Sequence, residues 1–514
     1  MTRSAAWWRA VVVTLLGFAS GLPLALTGQA MQAWLSTAGL DVAAIGFMSL
    51  VGLPYTFKFL WAPLMDRFDL PWLGRRRGWL VLTQLMMAGA LLLLASISPT
   101  GATRAFALMA VAVAFISASQ DVVIDAYRTE LLPSAERGLG ASLNVMGYRF
   151  AMILSGGVAF IWTDPNQGGG WSWPEVYRLM ALIMLVAAVF SAVALPKLAA
   201  LEGKASAARQ DVFGFLAVLA AVALGYLITD RFGTTLAGWM LAPLLDGSAM
   251  PVALQKRWVD LLALLFGIAL TLPLAAWAAR RAKFETLING LRNYFSQRGA
   301  AGFLLFIVLY KLGDAFAGAL MTPFLLTSMH YSSAEVGVVN KVIGLWLTIG
   351  GALLGGALML RLGLWRSLML FGVLQLLSNL GFWWLAVHGK GALPGLSIPA
   401  FDWGFVKLAQ ATPVDGGLLM VIAFENLSGG MGTAAFVAFM MSLCQRRFTA
   451  TQFALLSAFA SVGRVWVGPL AGVLAQSIGW PSFFVISTVL AAPALVMLWA
   501  LRASVRALES PAAP

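Results

Sequence analysis

The feature that most limits this chain is a succession of apolar runs, each long enough to cross a lipid bilayer as a helix. A crossing takes about 20 apolar residues at ~1.5 Å of rise per residue. Runs of that kind lie at 7–35, 42–65, 79–97, 104–127, 138–162, 174–195, 212–229, 258–279, 300–327, 335–359, 366–387, 416–443, 452–475 and 482–501. The pattern predicts an all-α polytopic membrane protein with about fourteen transmembrane helices, grouped as six, two and six. The composition agrees: 60% of the 514 residues are hydrophobic and only 11% charged, where a soluble domain carries about a quarter charged residues. The run that starts at Trp7 is too long for the core of a secretory leader and is followed by further spans, so it is read as the first transmembrane helix.

The formal net charge is +13, but the basic residues sit at the ends of apolar runs rather than on one face of a soluble domain, which argues against a nucleic-acid partner. With the N-terminus in the cytoplasm, most of the 34 Lys and Arg fall on the cytoplasmic side; moving the register by one helix inverts the bias. Both termini are therefore expected inside. Lys256 and Arg257 are the poor fit, landing outside. Five basic residues, Lys58, Arg149, Lys311, Lys341 and Arg464, fall within spans. The single cysteine, Cys444, and two distant histidines, His330 and His388, offer neither a disulfide nor a metal-ligand set; neither a metal nor another cofactor is expected.

Residues 134–149 and 449–464 align without gaps: Ser134-Ala135 with Thr449-Ala450, Ser142 with Ser457, and Arg149 with Arg464. Both stretches run from a cytoplasmic loop into the fifth helix of a half. A repeat of this kind, related by an axis along the membrane normal, fits two six-helix halves. The expected division is 1–200 for the N-terminal half, 201–298 for a linker carrying two inserted helices, and 299–514 for the C-terminal half with a short tail.

After the second span comes Ala62-Pro63-Leu64-Met65-Asp66-Arg67, then Gly74-Arg75-Arg76-Arg77-Gly78. This resembles the loop signature of the major facilitator superfamily. It is read as a cytoplasmic gating latch made by Asp66, Arg67, Arg75, Arg76 and Arg77, forming in one access state and breaking in the other; the plainer alternative is that the arginines set topology. Longer stretches resemble the anhydromuropeptide permease family, AmpG: GFASGLPLAL at 17–26, FKFLWAPLMDR at 57–67, SASQDVVIDAY at 117–127, LYKLGDAFA at 309–317, EVGVVNK at 335–341, FENLSGGMGTAAFVA at 424–438 and ATQFALLSAFASVGRVWVGP at 450–469. The resemblance implies the major facilitator fold in the bacterial inner membrane. It also implies proton-driven import of N-acetylglucosaminyl-anhydro-N-acetylmuramyl peptides for cell-wall recycling, with a link to β-lactamase induction. The proton gradient would be the only driving agent, membrane lipid the surroundings, and a monomer the working unit.

Ionisable groups inside a bilayer are costly and mark pathways. Asp121 and Asp125, spaced i, i+4, share a helix face and are candidates for proton coupling, together with Asp314 and Glu425; Asp125 has a structural alternative as a partner of Arg128 or Arg149. Lys311 and Asp314, at i, i+3, can pair either to neutralise each other or to act as a switch. Arg149 and Arg464 are candidates for gripping peptide carboxylates in a bidentate fork. Lys311, Lys341, Asn340, Asn426, Tyr148, Tyr310 and Trp346 complete the expected substrate set; Lys58, Trp34, Trp61 and Phe424 are weaker members. Rival readings are the same fold carrying another large anionic solute such as acetyl-CoA, a membrane-embedded transferase, or a channel. The lack of ligand-spaced Cys, His or Asp groups disfavours the enzyme, and the mixed buried charges and half-repeat disfavour the channel.

Overall fold

The computed structural model describes residues 3–61, 65, 73–132, 137–167, 169–196, 205–245, 248, 250–284, 288, 296, 299–402, 404, 407–443 and 449–508; at 3–5, 59, 75, 129, 137–142, 205–211, 341, 449–455, 457 and 462–464 only the backbone is described. Among these residues 13 helices are long and apolar enough to cross a membrane. In chain order the helices are α1 (Ala6–Thr37), the shorter α2 (Val42–Phe57), α3 (Arg76–Ser96), α4 (Thr103–Arg128), α5 (Leu143–Trp162), α6 (Trp173–Ala194), α7 (Val212–Leu245), α8 (Val252–Arg281), α9 (Ala300–Ser328), α10 (Ser333–Leu362), α11 (Leu364–His388), α12 (Gly416–Ser442), α13 (Ala458–Ile478) and α14 (Trp480–Ala500).

The expected second span at 42–65 departs furthest from an unbroken helix; α1 and α9 are also interrupted, by turns at 27–28 and 319–320. An α-turn, Val42–Phe47, passes into a 3₁₀ stretch, Met48–Gly52, then a second short helix, Leu53–Phe57, and a 3₁₀ turn, Lys58–Leu60. The causes are local. Gly52 has low helix propensity, and Pro54 near the start of the second piece has no N–H to donate to the turn before it. Hydropathy registers the apolar run and is blind to this interruption.

The helices gather into two groups and a pair. α1 packs on α4 and α5, and α3 on α4 and α6; α10 and α11 pack on α12, and α9 on α13 and α14, while α7 and α8 pack on each other. α1 carries Pro23 inside it, which has no N–H for the Ala19 carbonyl four residues back; the Gln120 side-chain amide of α4 donates to that carbonyl at 2.8 Å instead. Alternation along the chain defines a near face, which carries the N-terminus, and a far face, which carries the turns after α1, α3, α5, α7, α9, α11 and α13.

The two groups meet chiefly at the far face, where α2 runs along α13 and the end of α5 meets the start of α10. On the α2–α13 seam a Cβ at Gly46 would overlap the Gly468 carbonyl, so the backbones themselves are in contact and only glycine fits. Ser49 donates to the Val465 carbonyl at 2.9 Å, and the Thr56 and Ser461 hydroxyls share a 3.1 Å bond further along.

The all-helical expectation misses four short strands between α11 and α12: β1 (Leu396–Ile398), β2 (Phe401–Asp402), β3 (Lys407–Leu408) and β4 (Thr412–Val414). β1 pairs antiparallel with β4 and β2 with β3. Thr412 and Val414 are buried and Pro413 exposed, the period-two signature of a strand. Pro394 and Pro399 in this far-face loop keep the chain extended where the apolar runs stop.

Candidate functional site

The charged residues that sequence places inside spans fall into one cluster in each group, plus a closure at the far face. In the N-terminal group α4 carries Asp121, half-buried. Its carboxylate accepts a hydrogen bond from the Ser20 hydroxyl of α1 at 2.5 Å, and the charges of Lys58 and Asp125 act on it. The helical spacing brings Asp121 and Asp125 to one face, but they differ in setting. Asp125 is 58% exposed and forms an ion pair with Arg128 at 3.2 Å, the structural partner foreseen for it.

On α5 the half-exposed Arg149 lies among the exposed Val145, Met146 and Phe150. The opposite side of this helix packs against α1 through Asn144, Gly147 and Tyr148. Arg149 therefore points away from the body of its own group, and it has no ion-pair partner among the described residues. Further toward the far face α5 relaxes into a π-helical turn, Leu154–Val158, which packs against a second π-helical stretch, Gly337–Ile343, in α10. A Cβ at Gly337 would stand 2.8 Å from the Gly157 carbonyl oxygen. π-Turns of this kind recur at functional sites; here both lie on the contact between the groups.

In the C-terminal group Lys311 and Asp314 of α9 meet as their spacing predicts, at 3.3 Å. The same Asp314 oxygen accepts a 2.6 Å hydrogen bond from the Gln375 amide of α11, and Lys311 also reaches the Thr433 hydroxyl at 3.4 Å. The Lys311 ammonium lies 5.6 Å from the Phe436 ring centroid and 6.0 Å from that of Tyr310, the two rings being stacked 5.3 Å apart. Tyr310 is 6% exposed and donates to the Leu368 carbonyl at 3.1 Å; it supports Lys311 from within the core of its group. On α12 the Asn426 amide is spent on structure: it donates to the Ile422 carbonyl and the Glu425 carboxylate and accepts from the Thr348 hydroxyl of α10, each at 2.9 Å. Glu425 is half-buried and Phe424 36% exposed.

The other candidates are scattered. Asn340 is buried in the α10 π-stretch, and its Nδ2 has no hydrogen-bond partner among the described residues. Trp346 is 62% exposed, in one helical stripe with exposed Ile349, Leu353 and Leu360. Trp34 packs edge-on against Phe106, and Trp61 donates to the Ser119 hydroxyl at 3.0 Å; both are core residues. Of the latch, Asp66, Arg67 and the side chain of Arg75 lie outside the described residues; so do the side chains of the substrate candidates Lys341 and Arg464. Arg76 forms a 2.6 Å ion pair with Glu130, just beyond α4, and Arg77 donates to the Leu195 carbonyl at 3.4 Å after α6. These arginines tie α3 to α4 and α6 within one group.

The far-face closure was not anticipated from sequence. Asp164, just past α5 and 1% exposed, accepts the Ala334 backbone N–H at the start of α10 at 3.0 Å. It thus sets a negative charge on the N-terminus of a helix from the other group, where unpaired N–H donors and the helix dipole favour an anion. Beside it Glu335 binds Lys390 at 2.8 Å and the Asp415 N–H at 2.7 Å, while Asp415 accepts the Leu418 and Gly391 N–H groups. The Gln410 N–H of the strand loop donates to Gln167 at 3.1 Å, a further tie between the groups. One signal was readable: Ser332-Ser333-Ala334-Glu335 has the form of a helix-start box, and Ser332 does cap Glu335 at 3.1 Å. Nothing local in the chain says that Asp164 completes it.

Two helix groups, closed against each other on one face and carrying intramembrane charges between their gathered helices, define a transporter of the alternating-access class. The sequence profile of the Major Facilitator Superfamily matches residues 13–406. The chain is 38% identical, over 95% of its own length and 79% of the other's, to the anhydromuropeptide permease of Escherichia coli (strain K12). It is 26% identical to the putative transporter AmpG 4 of Rickettsia conorii, over 97% of each chain. A bacterial homolog of the human lysosomal transporter Spinster, solved in an inward-facing and unoccupied conformation, superposes with a TM-score of 0.63 at 10% identity, over 100% of both chains; at that identity the likeness is one of fold. The chain belongs to the Major Facilitator Superfamily and, within it, to the anhydromuropeptide permease family. It is a multi-pass membrane protein and a transporter rather than an enzyme.

Proposed function

We propose that this chain imports N-acetylglucosaminyl-1,6-anhydro-N-acetylmuramyl peptides from periplasm to cytoplasm in symport with protons, serving peptidoglycan recycling and, in bacteria with an inducible β-lactamase, its induction. The observation that carries the reading is the 38% identity to a protein named anhydromuropeptide permease across 95% of this chain. The physical chemistry supports it. A peptide-bearing sugar acid presents carboxylates, and Arg149 is a half-exposed intramembrane arginine with no counter-ion among the described residues; a bound carboxylate would supply one in bidentate form. Arg464, Lys341 and Asn340 are retained as further substrate ligands. Asp121, held by Ser20 and facing Lys58, is the lead proton carrier, with Asp314 and Glu425 as the acids of the C-terminal half; an acid that is ionised toward one side and neutral during reorientation couples the two fluxes.

With the N-terminus in the cytoplasm, the near face is cytoplasmic and the far face periplasmic, so the closed far face corresponds to an inward-facing state in the inner membrane. The halves 1–200 and 299–514 rock about the central pathway as a monomer, and 201–298 is an addition to them. In proteoliposomes, labelled anhydromuropeptide should accumulate only when an inward proton gradient is imposed and should leak out on addition of a protonophore. Uptake that ignores the gradient would overturn the coupling. No uptake of muropeptide, with acetyl-CoA transported instead by the same folded protein, would overturn the cargo.

A further inference from the structure

The inserted pair α7–α8 packs chiefly on itself, outside both helix groups, and leaves Phe213, Leu227, Trp239, Leu244, Leu265 and Trp277 exposed. Most of their surface is therefore apolar and faces lipid. Among the described residues the pair's polar ties gather at two places: Arg104 at the start of α4 donates to the Tyr226 hydroxyl of α7 at 3.1 Å and lies 3.7 Å from Asp230, and a denser set of contacts gathers at the far-face end of α8. Arg257 forms a 2.6 Å ion pair with Asp41, and Asp41 accepts the Ala44 N–H at 2.9 Å with its other oxygen, capping the start of α2. The next residue, Trp258, donates its indole N–H to the Ser477 hydroxyl at the end of α13, at 3.1 Å. One helical turn further, Leu261 is buried with Ala43 of α2 and Val473 of α13, with Phe47 and Trp258 packed against the three. Successive residues of one helix thus grip the N-terminal group and the C-terminal group. They do so over the seam where Gly46 and Gly468 bring the two backbones together.

We propose that α8 is a clasp that holds the far face shut. In an alternating-access cycle α2 and α13 separate at this end. A single 30-residue helix can follow one of them, so opening must break either the Arg257–Asp41 pair or the Trp258–Ser477 bond together with its apolar wedge. These contacts add free energy to the far-face-closed state alone and bias the two-state equilibrium by that difference. The clasp also accounts for a sequence anomaly. Arg257 lies on the face that the distribution of basic residues makes poor in positive charge, and it is there because Asp41, with Asp260 at 3.8 Å, neutralises it. The inference concerns the conformational equilibrium and does not depend on the cargo.

The test is a spin-label distance measurement in proteoliposomes without substrate, on full-length protein with Cys444→Ser and labels at Thr37→Cys and Gln476→Cys, both exposed at the far face. In the Arg257→Gln, Trp258→Phe protein the ratio of long to short distances should rise about tenfold, the loss of one part-exposed ion pair and one hydrogen bond. Lys256→Gln, which removes the neighbouring charge but no clasp contact, should leave the distribution unchanged. Ser477→Ala removes one hydroxyl from a helix end and should shift the ratio in the same direction by about threefold. An unchanged distribution in both the double variant and Ser477→Ala, or an equal shift in Lys256→Gln, would overturn the clasp.

Discussion

At the scale of single residues, two aspartates that sequence treats as a matched pair have different surroundings. Asp121 takes a hydrogen bond from another helix of its group and has Lys58 in its field, whereas Asp125 is more than half exposed and answered by Arg128 on its own helix. A group that alternates between ionised and neutral must do so where its state affects which face is open; an exposed, locally paired carboxylate has little such leverage. Asp121→Asn is therefore expected to abolish gradient-driven accumulation while keeping exchange of labelled for unlabelled substrate. Asp125→Asn should retain accumulation within about twofold, the range for loss of an exposed ion pair. Equal loss in both, measured in proteoliposomes, would remove the distinction. The pair Lys311–Asp314 did form as the i, i+3 spacing predicts, but its third member, Gln375, comes from a helix more than sixty positions away, and no spacing rule reaches that far.

At the scale of elements, the far-face closure is built on helix ends. A buried carboxylate at the end of α5 accepts an N–H from the first turn of α10, so the two groups are joined by a charge set on the positive end of a helix dipole. The π-helical turns beside it let the two helices approach at Gly157 and Gly337. Replacing Asp164 by Ala removes a cap-type interaction of about 1 kcal/mol from the closed state. The far-face-open population should rise by about fivefold, read by reactivity of a thiol at Phe160→Cys, 1% exposed in the closure, in a Cys444→Ser background, toward an impermeant reagent added from that side. A population unchanged by Asp164→Ala would mean that the apolar contacts at this end carry the closure alone.

At the scale of the whole molecule, one face is closed and the other is where Arg149 and its exposed neighbours lie. In the unloaded protein a thiol at Val145→Cys, in a Cys444→Ser background, should react with an impermeant reagent from the near face at least about tenfold faster than from the far face. A thiol at Phe160→Cys, at a position 1% exposed in the closure, should be protected from both. Reversal of the Val145 result would mean that the resting state is open to the other side.

What the sequence determined by itself follows from forces that act over one or two helical turns. Transfer of apolar side chains and satisfaction of backbone N–H and C=O groups in lipid compel long apolar runs to become helices, so membrane class, helix number and most helix positions could be read directly. So could the contact of Lys311 with Asp314, and the family, from motifs along both halves. The interruption in α2 was missed because hydropathy sums residues and does not weigh a glycine and a proline that break the helix. The rest depended on which helices touch. Asp164 on the first turn of α10, Gln375 on Asp314, Glu130 on Arg76, and Arg257 and Trp258 reaching to opposite groups all join residues remote in the chain. Such contacts arise only when helices pack, because a polar or charged group in a low-dielectric interior is stable only beside a partner, and the identity of that partner is a property of the tertiary structure.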